Sequence, residues 1–264
     1  MASILLDVDG VLHVSGAPIP GAAEAVDELR RAGHALRFVT NTSTRPRALL
    51  AEELRGMGFT LHEEELQTPA QAAARELAGK RVLALVMPSI VPDLAGLELV
   101  GERVDAVLVG GCDESLDPNQ VFSYMNLARA FAEIQAGAAL YCLHKNKWWQ
   151  TSRGPLLDSG AFVAGLEYAT GVEAIVLGKP SPSYFAAALD VLEAEPERTW
   201  LVTDDVEGDV RGARLFGIRT ALVRTGKFRQ ETLERADPAP DVVISSLADF
   251  PDLLEEHLTG GARR

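Results

Sequence analysis

The chain has 264 residues, of which 47% are hydrophobic and 24% charged. That is ordinary globular usage, with room for one large or two modest domains and no broad tendency to disorder. A formal net charge of −13 repels nucleic-acid phosphates and anionic membrane surfaces, so neither is expected as a partner, and an anionic substrate needs a local positive trap. No apolar run reaches the length of a membrane span, and residues 1–20 lack a basic flank before an apolar core, which predicts a soluble, cytoplasmic protein. The two cysteines, Cys112 and Cys142, form neither a zinc motif nor a disulfide framework, and both are expected to be reduced thiols.

The apolar run 4–6 reads as a buried strand. It leads into Asp7-Val8-Asp9-Gly10-Val11, where Gly10 permits a turn. Residues i and i+2 of an extended chain share a side, so Asp7 and Asp9 are expected to face one reacting group. Two ionised carboxylates that close require a cation or a proton between them. Magnesium, which prefers oxygen ligands, is the natural candidate, with phosphate as its companion. Residues 11–20 read as a loop, and 21–32 as a helix ended by Gly33. A second buried strand over 35–40 runs into Asn41-Thr42-Ser43-Thr44, suited to capping a helix over 46–57. Strand, helix and strand in succession predict a parallel sheet with crossover helices, an α/β fold.

A helix is predicted over 68–79, strands over 82–86 and 104–109, a helix over 119–136 and a strand over 138–143. His144-Lys145-Asn146-Lys147-Trp148-Trp149 follows as a concentrated basic and aromatic loop, with a helix near 161–168. A strand over 174–177 ends at Gly178-Lys179-Pro180, and Ser181-Pro182 opens a helix. Another strand over 200–203 ends at Asp204-Asp205, before a helix at 210–216, a strand at 220–223, and a last strand and helix from 241 onward. There is no fixed repeat and no long linker, so a second domain would be an insertion on short hinges.

Four strand ends therefore carry reactive residue types: Asp7 and Asp9; Thr40 and Asn41; Lys179; and Asp204, Asp205 and Asp209. In one parallel sheet all four would lie on one edge. Each has an ordinary reading alone: a helix cap, a solvated loop lysine, an acidic helix start. Together they match phosphoryl transfer, which needs a nucleophile, charge neutralisation, oriented donors and a proton source. Asp7 could attack phosphorus and Asp9 protonate the leaving oxygen and later activate water. Thr40, Asn41 and backbone N–H groups at a helix start could hold phosphate oxygens, and Lys179 could face the transferring group. Asp204 would complete a magnesium shell beside Asp7, with Asp205 or Asp209 orienting a ligand.

These four segments, Asp7-Val8-Asp9-Gly10-Val11, Val39-Thr40-Asn41, Gly178-Lys179-Pro180-Ser181-Pro182 and Thr203-Asp204-Asp205-Val206-Glu207-Gly208-Asp209, resemble the motifs of the haloacid dehalogenase-like superfamily. The nearest branch is the 4-nitrophenyl phosphatase and pyridoxal phosphate phosphatase type. Residues 161–171 and 223–228 resemble the subgroup of phospholysine phosphohistidine inorganic pyrophosphate phosphatase and haloacid dehalogenase-like hydrolase domain-containing protein 2. The resemblance implies a Rossmann-like three-layer core with a parallel sheet over 1–77 and 178–264, and an inserted α/β cap over 78–177. It also implies a magnesium-dependent phosphatase acting on a small phosphomonoester or similar phosphorylated small molecule. Asp7 would be nucleophile and metal ligand, Asp9 the acid/base with its main-chain carbonyl on the metal, and Asp204 the remaining protein ligand; Thr40, Asn41 and Lys179 would contact phosphate. Thr203 stands where glycine is usual, with little consequence expected in a strand. Asp9 stands where the pyrophosphate phosphatase carries serine, which weakens the transfer of its substrates to this chain.

In the cap, Lys145 and Lys147 could attract an anion and Trp148 or Trp149 stack on an aromatic leaving group, against the plainer reading of aromatics packed under the loop. Apolar cap residues could form a homodimer. Of the rivals, a carbon–halogen hydrolase has no need of Asp9, and a signalling receiver domain places its acceptor on a later strand. A catalytically weak phosphate-binding regulator of the same fold differs only in turnover.

Overall fold

The structure is a computed structural model that describes residues 1–111, 121–151 and 154–260. The chain forms two units, one made of Met1–Thr40, Ala51–Gln67 and Phe185–Arg264, the other of Asn41–Leu50 and Thr68–Tyr184. Among the described residues no helix is long and apolar enough to cross a membrane.

The first unit is built on a six-stranded parallel sheet. From one edge its strands are Val242–Ile244, Arg219–Val223, Thr199–Thr203, Ser3–Asp7, Ala35–Val39 and Leu66–Gln67. The chain starts in the middle and builds outward in both directions, so the strand order reverses beside Ser3–Asp7, the point at which open α/β sheets bind ligands. Ile4, Leu5, Leu6, Phe38, Val39, Leu201, Val202 and Leu222 are fully buried. Such continuous apolar runs are what a parallel strand covered on both faces requires. Helices Ala22–Arg31, Arg211–Phe216 and Phe250–Gly260 belong to this unit. The stretch expected as a loop over 11–20 contains a short hairpin, His13–Val14 with Ala17–Pro18. Ser15 and Gly16 turn it with φ of 51° and 81°, as a two-residue hairpin turn demands.

The second unit has its own parallel sheet, ordered Ile175–Val176, Ala139–Cys142, Ala106–Val109, Arg81–Leu85 and Glu98–Leu99. Side chains alternate between its faces. Leu83, Leu85, Val107, Val109, Leu140 and Cys142 pack with Ile134, Val163 and Leu166, while Val82, Ala106, Leu108 and Tyr141 pack with Ala73, Leu77, Ile90 and Leu94. Helices Tyr124–Gln135 and Gly160–Thr170 supply the first cluster, and Pro69–Glu76 the second. Cys142 is a free thiol used as a small core residue, and burial pushes it up to about 12. Cys112 and the predicted helix start at 119 lie outside the described residues.

Two expectations change here. The strand before Lys179, Ile175–Val176, pairs with Ala139–Cys142 in the second sheet, so three of the four reactive strand ends share one sheet edge and the fourth does not. Trp148 and Trp149 are not in a loop: they open strand Trp148–Thr151, which pairs antiparallel with Gly154–Leu157, and both are half-buried.

In the first unit Arg30, near the end of helix Ala22–Arg31, makes a bidentate pair with Glu65, at 2.7 and 2.8 Å. Burial alone would raise the Glu65 carboxyl, but Arg30 and the His62 N–H outweigh it and hold it below the usual glutamate value. A depressed folded-state value contributes stability above the ordinary glutamate range, and this is lost as pH falls through the folded value. Arg30→Met is therefore expected to lower the urea midpoint by more at about pH 7 than at about pH 3; an equal gap at both would refute the linkage.

Candidate active site

Register sets up the site. Leu6 pairs with Val202 and Asp7 with Val39 across the central strands, so Asp7, Thr203 and Thr40 reach the carboxyl edge at nearly the same level. Asp7, Thr40, Thr203, Asp204 and Asp209 are all buried. The Val8 N–H donates to Asp7 Oδ1 at 2.8 Å, and the Thr203 hydroxyl lies 3.2 Å from Asp7 Oδ2 and 2.9 Å from Asp209 Oδ2.

Strand Ser3–Asp7 ends at Asp7, so the expected i, i+2 alternation does not place Asp9. Its carboxylate takes the next backbone N–H, the chain bends at Val8, and Asp9 lies beyond the bend with its side chain 59% exposed. The Thr40 hydroxyl donates to Asp9 Oδ2 at 3.4 Å, and His13 Nε2 stands 3.9 Å from Asp9 Oδ1. Contact between Asp9 and the neighbouring strand end therefore comes through Thr40.

Asp204 is enclosed by backbone. Gly10 and Gly226 have φ of 81° and 62°, and a Cβ on either would strike the Asp204 carboxylate. Only glycine tolerates both that conformation and that approach. The Lys227 N–H donates to Asp204 Oδ2 at 2.7 Å, and the Lys227 ammonium stands 3.5 Å from Asp205 Oδ2. Burial pushes the Asp204 carboxyl up to about 7; Asp205 and Asp209 add to this, while the Lys227 N–H and ammonium oppose it. Burial works against the Lys227 charge, yet Asp205, Asp204, Asp7 and Asp209 together hold it above the usual lysine value.

Asp205 is committed locally: its side chain accepts the Gly208 N–H at 2.8 Å and caps the wide helical turn Val206–Val210. That is the helix-start reading of the acidic run, applied to this one residue. Asn41 and Lys179 both belong to the second unit. The Asn41 side chain donates to the Lys179 carbonyl and accepts the Lys179 N–H, each at 2.9 Å, and Lys179 is buried. In the same unit Lys145, expected to attract an anion, is paired with Glu167 at 2.8 Å.

Thr225, Gly226 and Lys227 fall in the 223–228 stretch that carries the subgroup resemblance but have no role assigned from the sequence, and Thr203 is expected there to be of little consequence. The Thr225 hydroxyl donates to the Gly10 carbonyl, so the segment after strand Arg219–Val223 braces the turn after Asp9. The available signal was its position: it follows a buried strand of the same sheet, where loops gather on the binding edge.

Two family models match, one described as haloacid dehalogenase-like hydrolase over residues 4–99 and one as HAD-hydrolase-like over 176–250. A phospholysine phosphohistidine inorganic pyrophosphate phosphatase from Xenopus laevis is 36% identical, over 96% of this chain and 94% of its own. The chain belongs to the haloacid dehalogenase-like hydrolases. Among solved structures of these hydrolases, a p-nitrophenyl phosphatase from Archaeoglobus fulgidus is similar with a TM-score of 0.87 and 29% identity, covering 96% of this chain and 98% of that one. A glycerol phosphate phosphatase from Mycobacterium tuberculosis, in complex with magnesium, is similar with a TM-score of 0.80 and 29% identity, covering 93% and 75%.

The oxygens around Asp204 suit a hard cation. Two buried carboxylates, Asp7 and Asp204, lie at the ends of adjacent strands or next to them. Among the described residues no three His, Cys, Asp or Glu side chains form a complete metal cage. Magnesium asks for none, because it keeps water and phosphate oxygens in its shell. The glycine enclosure of Asp204 can be tested by comparing Gly226→Ala with Gly16→Ala. At Gly16 φ is also positive but nothing lies within 4 Å of a Cβ, so that change carries only the backbone penalty of about 1–2 kcal/mol. Gly226→Ala is expected to lower the thermal midpoint clearly further; equal shifts would show that the Asp204 contact has no weight.

Proposed function

We propose that this protein is a magnesium-dependent phosphatase that hydrolyses a small phosphomonoester, or a similar phosphorylated small molecule, through an aspartyl phosphate on Asp7. The observation that carries the reading is the buried Asp7 carboxylate at the end of the central strand, flanked by Thr40 and by the Thr203–Asp204 strand end. Similarity to proteins named as p-nitrophenyl phosphatase and glycerol phosphate phosphatase supports the reaction class.

In the first step an Asp7 oxygen attacks phosphorus while the bond to the leaving oxygen breaks, and Asp9 gives that oxygen a proton. In the second, the Asp9 carboxylate takes a proton from water as the water oxygen attacks phosphorus, releasing phosphate and restoring the Asp7 carboxylate. Splitting one difficult displacement into two is the advantage of the covalent route. Asp7, Asp204 and, by the family motifs, the Asp9 carbonyl would hold a divalent ion, which when bound would neutralise carboxylate and phosphoryl charge. Thr40, Asn41 and Lys179 are assigned to phosphate by the family motifs. Residues 78–177 act as the cap in this reading, excluding water and contacting the leaving group. A cytoplasmic setting and self-association through the cap complete it; Tyr124, Met125 and Tyr168 are exposed there.

The test is turnover of 4-nitrophenyl phosphate with magnesium and with excess EDTA. Activity lost on chelation and restored by magnesium supports the proposal, and no turnover by folded protein would favour a phosphate-binding regulator. Asp7→Asn is expected to abolish turnover with the fold and phosphate binding retained, and wild-type rates in that variant would remove Asp7 as nucleophile. Asp9→Asn is expected to slow alkyl phosphates, which have poor leaving groups, by about 10²–10⁴-fold and 4-nitrophenyl phosphate much less; equal losses would argue against the acid role.

A further inference from the structure

The Thr203 side chain is fully buried and touches three groups of the site. Its hydroxyl accepts the Asp205 N–H at 3.2 Å and lies 3.2 Å from Asp7 Oδ2 and 2.9 Å from Asp209 Oδ2. A hydroxyl has one proton and two lone pairs. With the Asp205 N–H on one lone pair, the proton faces two carboxylates and can serve one at a time. Asp7 Oδ1 meanwhile accepts the Val8 N–H at 2.8 Å. When that proton points to Asp7 Oδ2, a donor stands on each Asp7 oxygen and fixes the plane of its carboxylate, which a single donor leaves able to rotate.

We infer that Thr203 is a positioning residue for the reaction, aligning the Asp7 carboxylate for attack and passing its hydrogen bond to Asp209 once Asp7 is phosphorylated. This rests on the reading of Asp7 as nucleophile. When an Asp7 oxygen bonds to phosphorus the carboxylate becomes an ester, its charge falls, and its remaining oxygen is a weaker acceptor than an ionised carboxylate. Asp209 keeps its carboxylate and offers the closer contact, so the proton turns about the Thr203 Cβ–Oγ1 bond without leaving the hydroxyl. When water cleaves the ester, the Asp7 carboxylate recovers its charge and the hydrogen bond returns. No proton is exchanged with solvent. The β-branched side chain suits this role, because its χ1 is restricted and the hydroxyl pivots from a fixed point.

The experiment compares Thr203→Val, which replaces the hydroxyl by a methyl group, with Thr203→Ser, which keeps it, on 4-nitrophenyl phosphate in saturating magnesium. The kcat of Thr203→Val is expected to fall by about 10–100-fold, in line with misalignment of a reacting group. Its inhibition by inorganic phosphate should stay within about threefold of wild type, and Thr203→Ser should recover kcat to within about threefold. An unchanged kcat in Thr203→Val would overturn the inference. So would a serine variant as slow as valine, or a valine variant that loses phosphate affinity in step with kcat, since either would show a packing role. Should Thr203→Val not fold, Thr203→Ala is measured against Thr203→Ser by the same criteria. Asp7→Asn is run in parallel. If it keeps turnover, the nucleophile reading falls; if it is dead while Thr203→Val is wild-type, only the Thr203 assignment falls.

Discussion

Burying carboxylates is the constraint around which the first unit is arranged. Removing one ion from water costs several kcal/mol even after relaxation, and only directed hydrogen bonds or opposite charge offset it. Asp7, Asp204 and Asp209 are all buried on one edge of the sheet. Asp7 is met by the Val8 N–H, Asp204 by the Lys227 N–H, and the Thr203 hydroxyl stands between Asp7 and Asp209 with one proton for either. Strand register, the turn at Gly10 and the loop through Gly226 all serve to bring those donors to those oxygens. The same arrangement leaves hard oxygen atoms converging at a topological switch point, which is where α/β sheets take ligands.

Much of this was legible because buried parallel strands announce themselves. Continuous apolar runs predicted strands at Ser3–Asp7, Ala35–Val39, Thr199–Thr203 and Arg219–Val223, each to within a residue or two. The candidate site residues were singled out for a related reason: polar side chains immediately after buried parallel strands emerge on the edge where such sheets take ligands. Pairing between strands was not legible. Ile175–Val176 carries nothing local that says which of two parallel sheets it joins, and it joins the second. The two tryptophans were misread as a loop because their hairpin partner, Gly154–Leu157, comes after intervening polar residues and contains proline.

The site was harder than the fold wherever a residue acts through position instead of type. Thr203 looked conventional as a β-branched residue in a strand. Its place beside Asp7 comes from a register in which Val202 stands opposite Leu6. Lys227 has nothing local in the sequence that marks it, and its setting comes from four carboxylates that the sequence scatters between positions 7 and 209. Asp9 shows the converse: its acid type is plain in the sequence, but its placement does not follow from strand alternation, because the strand ends at Asp7, whose carboxylate accepts the next backbone N–H.

The order of strands in the first sheet also bears on how the polypeptide reaches this state. Ser3–Asp7 pairs on one side with Ala35–Val39, close in sequence, and on the other with Thr199–Thr203, with Asp7 and Thr203 separated by 196 positions. During synthesis the central strand has one neighbour early and waits for the other until most of the chain has left the ribosome. For that interval an apolar edge with unpaired backbone groups is open, the type of surface that invites intermolecular pairing. The intervening second unit, with a sheet and two hydrophobic clusters of its own, can fold in the meantime and shorten the search that closes the gap.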